Sequence, residues 1–239
     1  MPSDLPNGAP VAVISGANRG IGLATARELL GRGYRLSLGA RDPDRMRAAL
    51  PAPEDSVLVH TFDALAPQTA ADWIAATVAR FGRIDALINN AGSNERVTLE
   101  DDDDDALDRL WAINVKAPLR LTRLCLPHLE ATGRGRVVNI ASLSGKRVRN
   151  PHVGYAMTKF AVMGLTHTIR HVAWPKGIRA TALCPSFVRT DMTDAVTKIS
   201  RAEMTDPETI ATLIRTVIEL PNTAAVAELL VNCRQEDML

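Results

Sequence analysis

Cysteine is scarce in this sequence of 239 residues, and that scarcity argues against two kinds of protein. The three cysteines, Cys125, Cys184 and Cys233, are odd in number, far apart and lodged in apolar stretches. Such spacing fits neither a disulfide framework nor a cysteine-ligated metal site. We therefore expect reduced cysteines that serve in packing, no bound metal ion and a cytoplasmic protein.

An excess of charge of either sign is also missing, since the formal net charge is +1. Without a basic patch there is no electrostatic footprint for nucleic acid or for an anionic membrane surface. No apolar run approaches the ~18 residues of a membrane helix. Residues 1–9 are polar and rich in turn formers, which indicates a flexible N-terminus rather than a signal peptide. We expect a small molecule as the partner, and neither nucleic acid nor a membrane.

What the sequence does contain is a regular alternation of strand patterns with helical patterns. With 46% hydrophobic and 23% charged residues, the composition is ordinary for α/β proteins, and we predict a single domain over 1–239. Short apolar runs predict strands at 11–14, 35–41, 57–62, 84–88, 136–141, 178–184 and 226–231. Helical spacing between most of these runs predicts a mostly parallel, doubly wound sheet with helices on both faces.

The stretch from Ser142 to Lys159 follows a predicted strand and leads into a helical pattern that begins at Tyr155. Residues four apart lie on one face of a helix, so the Tyr155 phenol and the Lys159 ammonium would reach the same volume. A free tyrosine ionises near pH ~10, and a neighbouring cation favours the phenolate, which would suit the pair to acid/base work nearer neutrality. Taken alone, such a pair more often lies on the protein surface and has no catalytic role.

Three glycines interrupt the chain after the first predicted strand, in Ser15-Gly16-Ala17-Asn18-Arg19-Gly20-Ile21-Gly22. Strand, glycine turn and helix form the arrangement in which N–H groups at a helix N-terminus bind a pyrophosphate. As a lone motif, the spacing Gly-x-x-x-Gly-x-Gly fits an ordinary glycine turn equally well.

The candidate polar groups share a position, because each follows the carboxyl end of a predicted strand. They are the glycine loop, Asp63, Asn89-Asn90-Ala91-Gly92, Ser142 and Pro185. Carboxyl ends of parallel strands meet at one edge of the sheet, and open α/β folds bind ligands at that edge. This convergence makes Tyr155 and Lys159 active-site candidates.

An acidic run at 100–105 offers carboxylates that could bind a hard cation. It stands at the start of a helical pattern, where acidic side chains compensate the helix dipole. We therefore favour a solvated helix start over a metal site.

Together these motifs resemble the short-chain dehydrogenase/reductase family over essentially the whole chain. The resemblance rests on the glycine loop at 15–22, Asn89-Asn90-Ala91-Gly92, Asn114 in Ile113-Asn114-Val115, Ser142 and Tyr155-x-x-x-Lys159. It implies a Rossmann-type sheet of seven strands, a nicotinamide dinucleotide and hydride transfer between an alcohol and a carbonyl compound.

By position, the resemblance also implies a catalytic tetrad and a set of cofactor contacts. Tyr155 would be the general acid in reduction or the base in oxidation, and Ser142 would hold the carbonyl oxygen. Lys159 would lower the Tyr155 pKa and bond the nicotinamide ribose, and Asn114 would keep a water in a proton relay to Lys159. The cofactor would be bound by Gly16, Asn18, Arg19, Gly20, Ile21, Gly22, Arg41, Asp63, Asn90, Ala91, Gly92, Tyr155, Lys159, Pro185, Val188 and Thr190.

The choice between NADP and NAD depends on charge at the end of the second strand. Family members that prefer NAD usually have an acid there, and the corresponding residue here is Ala40. Arg41 follows it and Arg19 lies in the glycine loop, so two guanidiniums could flank a 2′-phosphate. We therefore predict NADP (NADPH) over NAD, with the reservation that a strand shifted by one residue would bring Asp42 to the place of Arg41.

The favoured function is an NADP-dependent oxidoreductase acting on a small or medium carbonyl or alcohol. An NAD-dependent alcohol dehydrogenase, a non-catalytic dinucleotide-binding regulator and a non-redox enzyme of the same fold stay open. The substrate should be selected by residues 93–98 and 143–152 and by 187–205, a polar stretch that predicts a mobile substrate loop. The family also implies a homotetramer or dimer, built partly on helices at 106–131 and 152–172.

Overall fold

The computed structural model describes residues 8–102 and 104–235, which form a seven-stranded sheet in the order β3-β2-β1-β4-β5-β6-β7. All neighbouring strands run parallel. The strands are β1 (Val11–Ser15), β2 (Arg35–Ala40), β3 (Val57–Thr61), β4 (Ala86–Asn89), β5 (Arg136–Ile140), β6 (Arg179–Pro185) and β7 (Glu228–Val231). The order reverses between β1 and β4, and such a switch point leaves a crevice at the carboxyl ends of the strands. The predicted fold class and strand number are confirmed.

Helices cover both faces of this sheet in the described ranges. They are α1 (Gly20–Leu30), α2 (Pro43–Ala49), α3 (Pro67–Phe81), α4 (Asp104–Trp111), α5 (Ala117–Ala131), α6 (Val153–Ala173) and α7 (Pro207–Glu219). Apolar residues of α1, α2 and α7 pack on one face, and those of α3, α5 and α6 pack on the other. The sheet is therefore doubly wound, as the alternation of patterns predicted.

The core is divided by the sheet, because successive strand residues face opposite sides. In β1, Ile14 belongs to the cluster under α1 and α7, whereas Val13 belongs to the cluster under α3 and α5. Trp73 of α3 is fully buried in the second cluster, with its ring centroid 5.2 Å from that of Phe62. A Cβ on Gly39 would lie 2.6 Å from the indole ring, so this strand position requires glycine. Truncating a buried tryptophan of this kind to alanine costs about 3–5 kcal/mol.

Most strand ends differ from the sequence prediction by one or two residues, and three further differences concern α1, β4 and α2. α1 begins at Gly20, so two glycines of the loop lie in its first turn, and β4 begins at Ala86 rather than at residue 84. α2 was not predicted, because a helix of seven residues is too short to show a clear period. Its local signals are nevertheless present: Asp42 accepts a hydrogen bond from the Arg45 N–H at 3.0 Å, and Pro43 occupies the first helical position.

The segment 187–205, predicted as a mobile loop, contains regular local structure. Two short 3₁₀ helices occur in it, Asp191–Thr193 and Arg201–Glu203. Val188 and Thr205 pair in an isolated parallel bridge that joins its two ends. The irregular sequence pattern is explained by these short turns, which have no extended period.

The acidic run leads into α4, and Asp104 and Asp105 occupy the first turn of that helix, as the dipole argument predicts. Asp103 of this run and residues 1–7 of the predicted flexible N-terminus lie outside the described residues.

In 8–102 and 104–235, no group of three or more His, Cys, Asp or Glu is arranged to hold a metal ion. Within the same residues no helix is long and apolar enough to cross a membrane. The three cysteines carry free thiols, and Cys125 and Cys184 are buried.

Candidate active site

The loops that follow β1 and β4 are joined by hydrogen bonds. The Ser15 hydroxyl accepts from the backbone N–H groups of Asn90 and Ala91, at 3.0 and 3.1 Å. The Asn90 side-chain amide donates to the carbonyl oxygens of Ser15 and Gly16, both at 2.9 Å. Ser15 thus connects the two loops beside the switch point, and the sequence signal for it was only its place before the first glycine.

The glycine loop needs glycine at two positions at least. Gly16 has φ of +66°, in the region that side chains disfavour. A Cβ on Gly22 would lie 2.4 Å from the Gly16 carbonyl oxygen, so the loop could not close over the first turn of α1. The turn is therefore built for close approach of backbone segments.

The N-terminus of α1 is suited to an anion. Its N-cap residue, Arg19, makes no side-chain capping bond, and the first turn of the helix contains no acidic residue. The positive end of the helix dipole and the first-turn N–H groups would therefore bind a phosphate. Beside them, Asn18 is partly exposed and Ile21 packs against the core. These residues fit the pyrophosphate of a dinucleotide.

Ser142 and Tyr155 lie together at the end of β5. Ser142 caps a 3₁₀ turn, Leu143–Gly145, and its hydroxyl accepts from the Ser144 N–H at 3.1 Å. The Tyr155 phenol lies within hydrogen-bonding reach of Ser142. Burial raises the pKa of Tyr155, and the contact with Ser142 partly opposes that rise. The phenol is consequently protonated at neutral pH.

Lys159 lies on the same face of α6 as Tyr155, one turn further on. Its side chain is 6% exposed, and its ammonium is 5.5 Å from the Tyr155 ring centroid. The ammonium donates to the Ile140 carbonyl oxygen at 2.8 Å, and burial lowers the pKa of Lys159 to about 8. The effects that shift the Tyr155 pKa are burial and the contact with Ser142, and Lys159 is not among them. Burial dominates, because the ammonium points to a carbonyl rather than to the phenol.

Asn114 lies in a π-helical turn, Ala112–Lys116, between α4 and α5. Its side-chain oxygen accepts from the Ser93 N–H at 2.8 Å, and its amide donates to the Ser93 carbonyl and the Thr158 hydroxyl, at 2.9 and 3.0 Å. A Cβ on Gly92 would lie 3.4 Å from Asn114 Oδ1 and 3.9 Å from Lys159 Nζ. Asn114 and Lys159 therefore both lie beside Gly92. Both amide N–H groups of Asn114 are engaged, so its side chain could hold a relay water only through the second lone pair of Oδ1.

At the other end of the crevice, β2 ends at Ala40 and is followed by exposed Arg41. Asp42 does not take the place of Arg41, because its carboxylate caps α2. Asp63 lies two residues beyond β3, and its carboxylate accepts from the Leu65 N–H at 2.9 Å. Asp63 thus helps to form a turn in its own loop.

The chain after β6 returns to the glycine loop. Pro185 is the last residue of β6, and Val188 is buried. A Cβ on Gly20 would lie 3.0 Å from the Thr190 methyl group, which brings Thr190 against the N-terminus of α1. Arg19 forms an ion pair with Asp191 at 2.8 Å. Sequence reasoning missed Asp191, and no sequence pattern connects two residues this far apart.

Most of the chain is similar in sequence to known proteins. Residues 10–200 match the family described as short chain dehydrogenase. The chain is 50% identical over 230 residues to an agropine synthesis reductase of Rhizobium rhizogenes, covering 96% of this chain and 54% of that protein. It is 34% identical over 188 residues to a D-beta-hydroxybutyrate dehydrogenase of Rhizobium meliloti, covering 77% of this chain and 73% of that protein. The chain thus spans about half the length of the agropine synthesis reductase that it matches.

A solved structure supports the same relation. An alcohol dehydrogenase from the archaeon Thermococcus sibiricus, complexed with 5-hydroxy-NADP, superposes with a TM-score of 0.85 at 29% sequence identity. The match covers 93% of this chain and 96% of that chain.

Proposed function

Because the chain belongs to the short-chain dehydrogenase family, we propose that it transfers a hydride between NADP(H) and a small or medium carbonyl or alcohol, with Tyr155 as the acid/base group. The observation that carries this proposal is the grouping of Tyr155, Ser142 and Lys159 at the carboxyl end of β5. A phenol, a hydroxyl and a buried ammonium at one strand end are the groups that carbonyl reduction requires.

The residues of this chain have separate tasks in the proposed reaction. Ser142 donates a hydrogen bond to the substrate oxygen and thereby orients the carbonyl. Tyr155 gives its proton to that oxygen as negative charge develops there, and Lys159 keeps a positive charge close to the phenol. When bound, the nicotinamide supplies the hydride. A positioned acid of this kind contributes about 10²–10⁴-fold to the rate.

Reduction requires Tyr155 in its protonated form. Burial raises the pKa of Tyr155, so the phenol carries its proton at neutral pH and can act as an acid. The agropine synthesis reductase that the chain resembles is also named for reduction. We therefore propose that the physiological reaction consumes the reduced cofactor.

The preference for NADP over NAD is supported by charge at the adenosine end. β2 ends at Ala40 and leaves no carboxylate there to repel a 2′-phosphate, and exposed Arg41 follows. Arg19 supplies a second guanidinium from the N-cap of α1. A hydrogen bond between a guanidinium and phosphate is worth about 1.5–3 kcal/mol, or roughly 10- to 150-fold in affinity.

The first reaction to test is a reductive step in agropine synthesis, since a protein named agropine synthesis reductase is 50% identical to this chain. The region that would select the substrate includes the segment 187–205. Asn94 joins this segment to the loop after β4 by donating to the Met192 carbonyl at 3.1 Å. Substrate selection is thus proposed to depend on both loops.

The test is a screen of aldehydes, ketones, keto-esters and quinones, followed through NADPH and NADH absorbance. We expect NADPH oxidation with at least one class, and loss of at least about 10²-fold in kcat for a Tyr155→Phe variant that still binds NADPH. NADPH binding without turnover on the whole panel would instead favour a dinucleotide-binding regulator. Turnover that leaves the nicotinamide unchanged would favour non-redox chemistry.

We also propose that the protein forms a homo-oligomer, a dimer or a tetramer. The support is an apolar surface on α6, where Met157, Phe160 and Val172 are each about half exposed. Light scattering during size-exclusion chromatography would measure the mass, and a monomer at micromolar concentration would reject this proposal.

A further inference from the structure

The ion pair between Arg19 and Asp191 connects the proposed cofactor loop to the segment that follows β6. Arg19 is the N-cap of α1, and Asp191 opens the 3₁₀ helix Asp191–Thr193. Their side chains are 56% and 55% exposed, and the Nη1 to Oδ2 distance is 2.8 Å. Both ends of the pair are thus reachable from solvent.

The Asp191 carboxylate accepts a hydrogen bond from its own backbone N–H, but other groups also hold its turn. Thr193 donates its hydroxyl to the Val188 carbonyl at 2.7 Å, and the Thr193 N–H bonds to the Thr190 carbonyl at 2.9 Å. Asn94 holds the Met192 carbonyl from the opposite side. The carboxylate is therefore a surface group that points at Arg19, and its removal should leave the turn in place.

Positive charge surrounds this carboxylate. The hydrogen bond from Arg19 lowers the pKa of Asp191, and the nearby charge of Arg45 acts in the same direction. Asp191 is consequently ionised at neutral pH and lies within the electrostatic reach of a second guanidinium on α2. Its partner Arg19 is one of the two guanidiniums between which the proposed function places the 2′-phosphate.

We propose that Asp191 is a specificity-determining residue that competes with the 2′-phosphate of NADP(H) for the Arg19 guanidinium. The inference rests on the proposed use of NADP(H). A phosphate and a carboxylate carry like charges, so binding of the phosphate requires Arg19 to turn from Asp191, and the remaining carboxylate repels the phosphate. NADH has no 2′-phosphate and leaves the ion pair undisturbed.

This competition predicts that NADPH binds more tightly when the Asp191 charge is removed. Asp191→Asn removes the competing charge and should tighten NADPH binding by about two- to fivefold, the range expected for an exposed ion pair. NADH affinity should stay the same. The gain should be larger at low salt, because exposed charges are screened within about 10 Å at 0.1 M ionic strength.

The experiment is calorimetric titration of wild type and Asp191→Asn with NADPH, NADH, 2′,5′-ADP and 5′-AMP. Asp194→Asn is the matched control. Asp194 lies three residues after Asp191 in the same segment and forms its own ion pair with Arg201. We expect tighter binding of NADPH and 2′,5′-ADP for Asp191→Asn alone. In an Arg19→Met background the gain should shrink, since the competition acts through Arg19.

Two results would reject the inference and one would reject the proposed function. Weaker NADPH binding by Asp191→Asn would mean that Asp191 positions Arg19, and an unchanged affinity would mean that the pair is inert. Both overturn competition while wild-type preference for NADPH persists. Equal affinity of the wild type for NADPH and NADH would instead overturn the proposed NADP preference, and with it the ground for this inference.

Discussion

The ammonium of Lys159 donates a hydrogen bond to the carbonyl oxygen of Ile140, across 2.8 Å and almost out of reach of solvent. The partner of this buried charge is a neutral carbonyl at the end of β5. Burial accordingly lowers the pKa of Lys159 from its ordinary value of 10.5 to about 8. Keeping Lys159 charged in the folded protein therefore lowers the free energy of unfolding by roughly 3 kcal/mol.

Replacing Lys159 by methionine should raise the free energy of unfolding at pH 7 by about 1–2 kcal/mol while abolishing activity. The variant loses the burial penalty, and the lost bond to Ile140 offsets about 1 kcal/mol of the gain. The folded pKa lies below the unfolded one, so the penalty in wild type is complete below about pH 8 and disappears as the pH rises towards 10.5. The difference between the two proteins should therefore shrink across that window.

Urea denaturation at pH 7 and pH 10 measures this difference. Lys116→Met on the exposed surface is the control, and it should change stability by no more than about 0.5 kcal/mol at either pH. A Lys159→Met protein that is less stable than wild type at pH 7 would contradict the burial argument.

Ser142→Ala should lower kcat by about 10²–10³-fold, because it removes the donor proposed to hold the substrate oxygen. It should also raise the pKa of Tyr155 further, since the bond to Ser142 is the group that lowers it. The alkaline limb of the kcat profile for reduction should then move to higher pH. Ser144→Ala is the matched control, because the contact of Ser144 with Ser142 uses its backbone N–H, which alanine keeps. An unshifted alkaline limb in Ser142→Ala would speak against the assigned bond.

The sequence was informative where chain topology determines position. Alternating strands and helices predict a parallel sheet, and a parallel sheet brings its strand ends to one edge, which is why Ser142 and the glycine loop could be placed together from pattern alone. Helical spacing likewise put Tyr155 and Lys159 on one face. These inferences need no side-chain packing.

Features that depend on packing could not be predicted in this way. The upward shift in the Tyr155 pKa comes from burial, which no single stretch of sequence specifies. Asn114 is held by Ser93 and Thr158, and this pairing depends on how α4, α5 and α6 meet around a π turn. The Arg19 to Asp191 pair joins exposed residues 172 positions apart. Such contacts are made only in the folded chain, and they leave no periodic pattern in the sequence from which they could be predicted.

Arg41→Ala should weaken NADPH binding by at least about tenfold and leave NADH binding unchanged, because the lost guanidinium faces only a 2′-phosphate in the proposed complex. Fluorescence titration with each reduced cofactor provides the measurement. Arg47→Ala is the control, since Arg47 lies on α2, the short helix that follows Arg41, and pairs with Asp44 at 2.6 Å. Equal losses for the two cofactors would place Arg41 elsewhere on the dinucleotide, and no loss for NADPH would remove it from the site.

A pair of threonines on α6 allows the buried polar network behind the site to be tested against its own helix. Thr166 and Thr168 each donate to the carbonyl four residues earlier, at 2.8 and 2.9 Å. Only Thr166 is buried, and its hydroxyl also accepts from Asn139 at 2.8 Å; the Asn139 oxygen in turn accepts from Asn89 at 2.8 Å.

Thr166→Val should therefore lower the free energy of unfolding by about 1–3 kcal/mol, because the buried Asn139 amide loses its partner on α6. Thr168→Val loses the same type of helical bond at an exposed position and should stay within about 0.5 kcal/mol of wild type. Urea denaturation of both variants separates the contribution of the buried network to stability from that of the bond within the helix. Both variants carry the same substitution and lose the same type of helical bond, and only Thr166→Val also loses the network. Equal destabilisation would assign the effect to helix propensity, and the connection from β4 through β5 to α6 would then contribute nothing measurable to the placement of Tyr155 and Lys159.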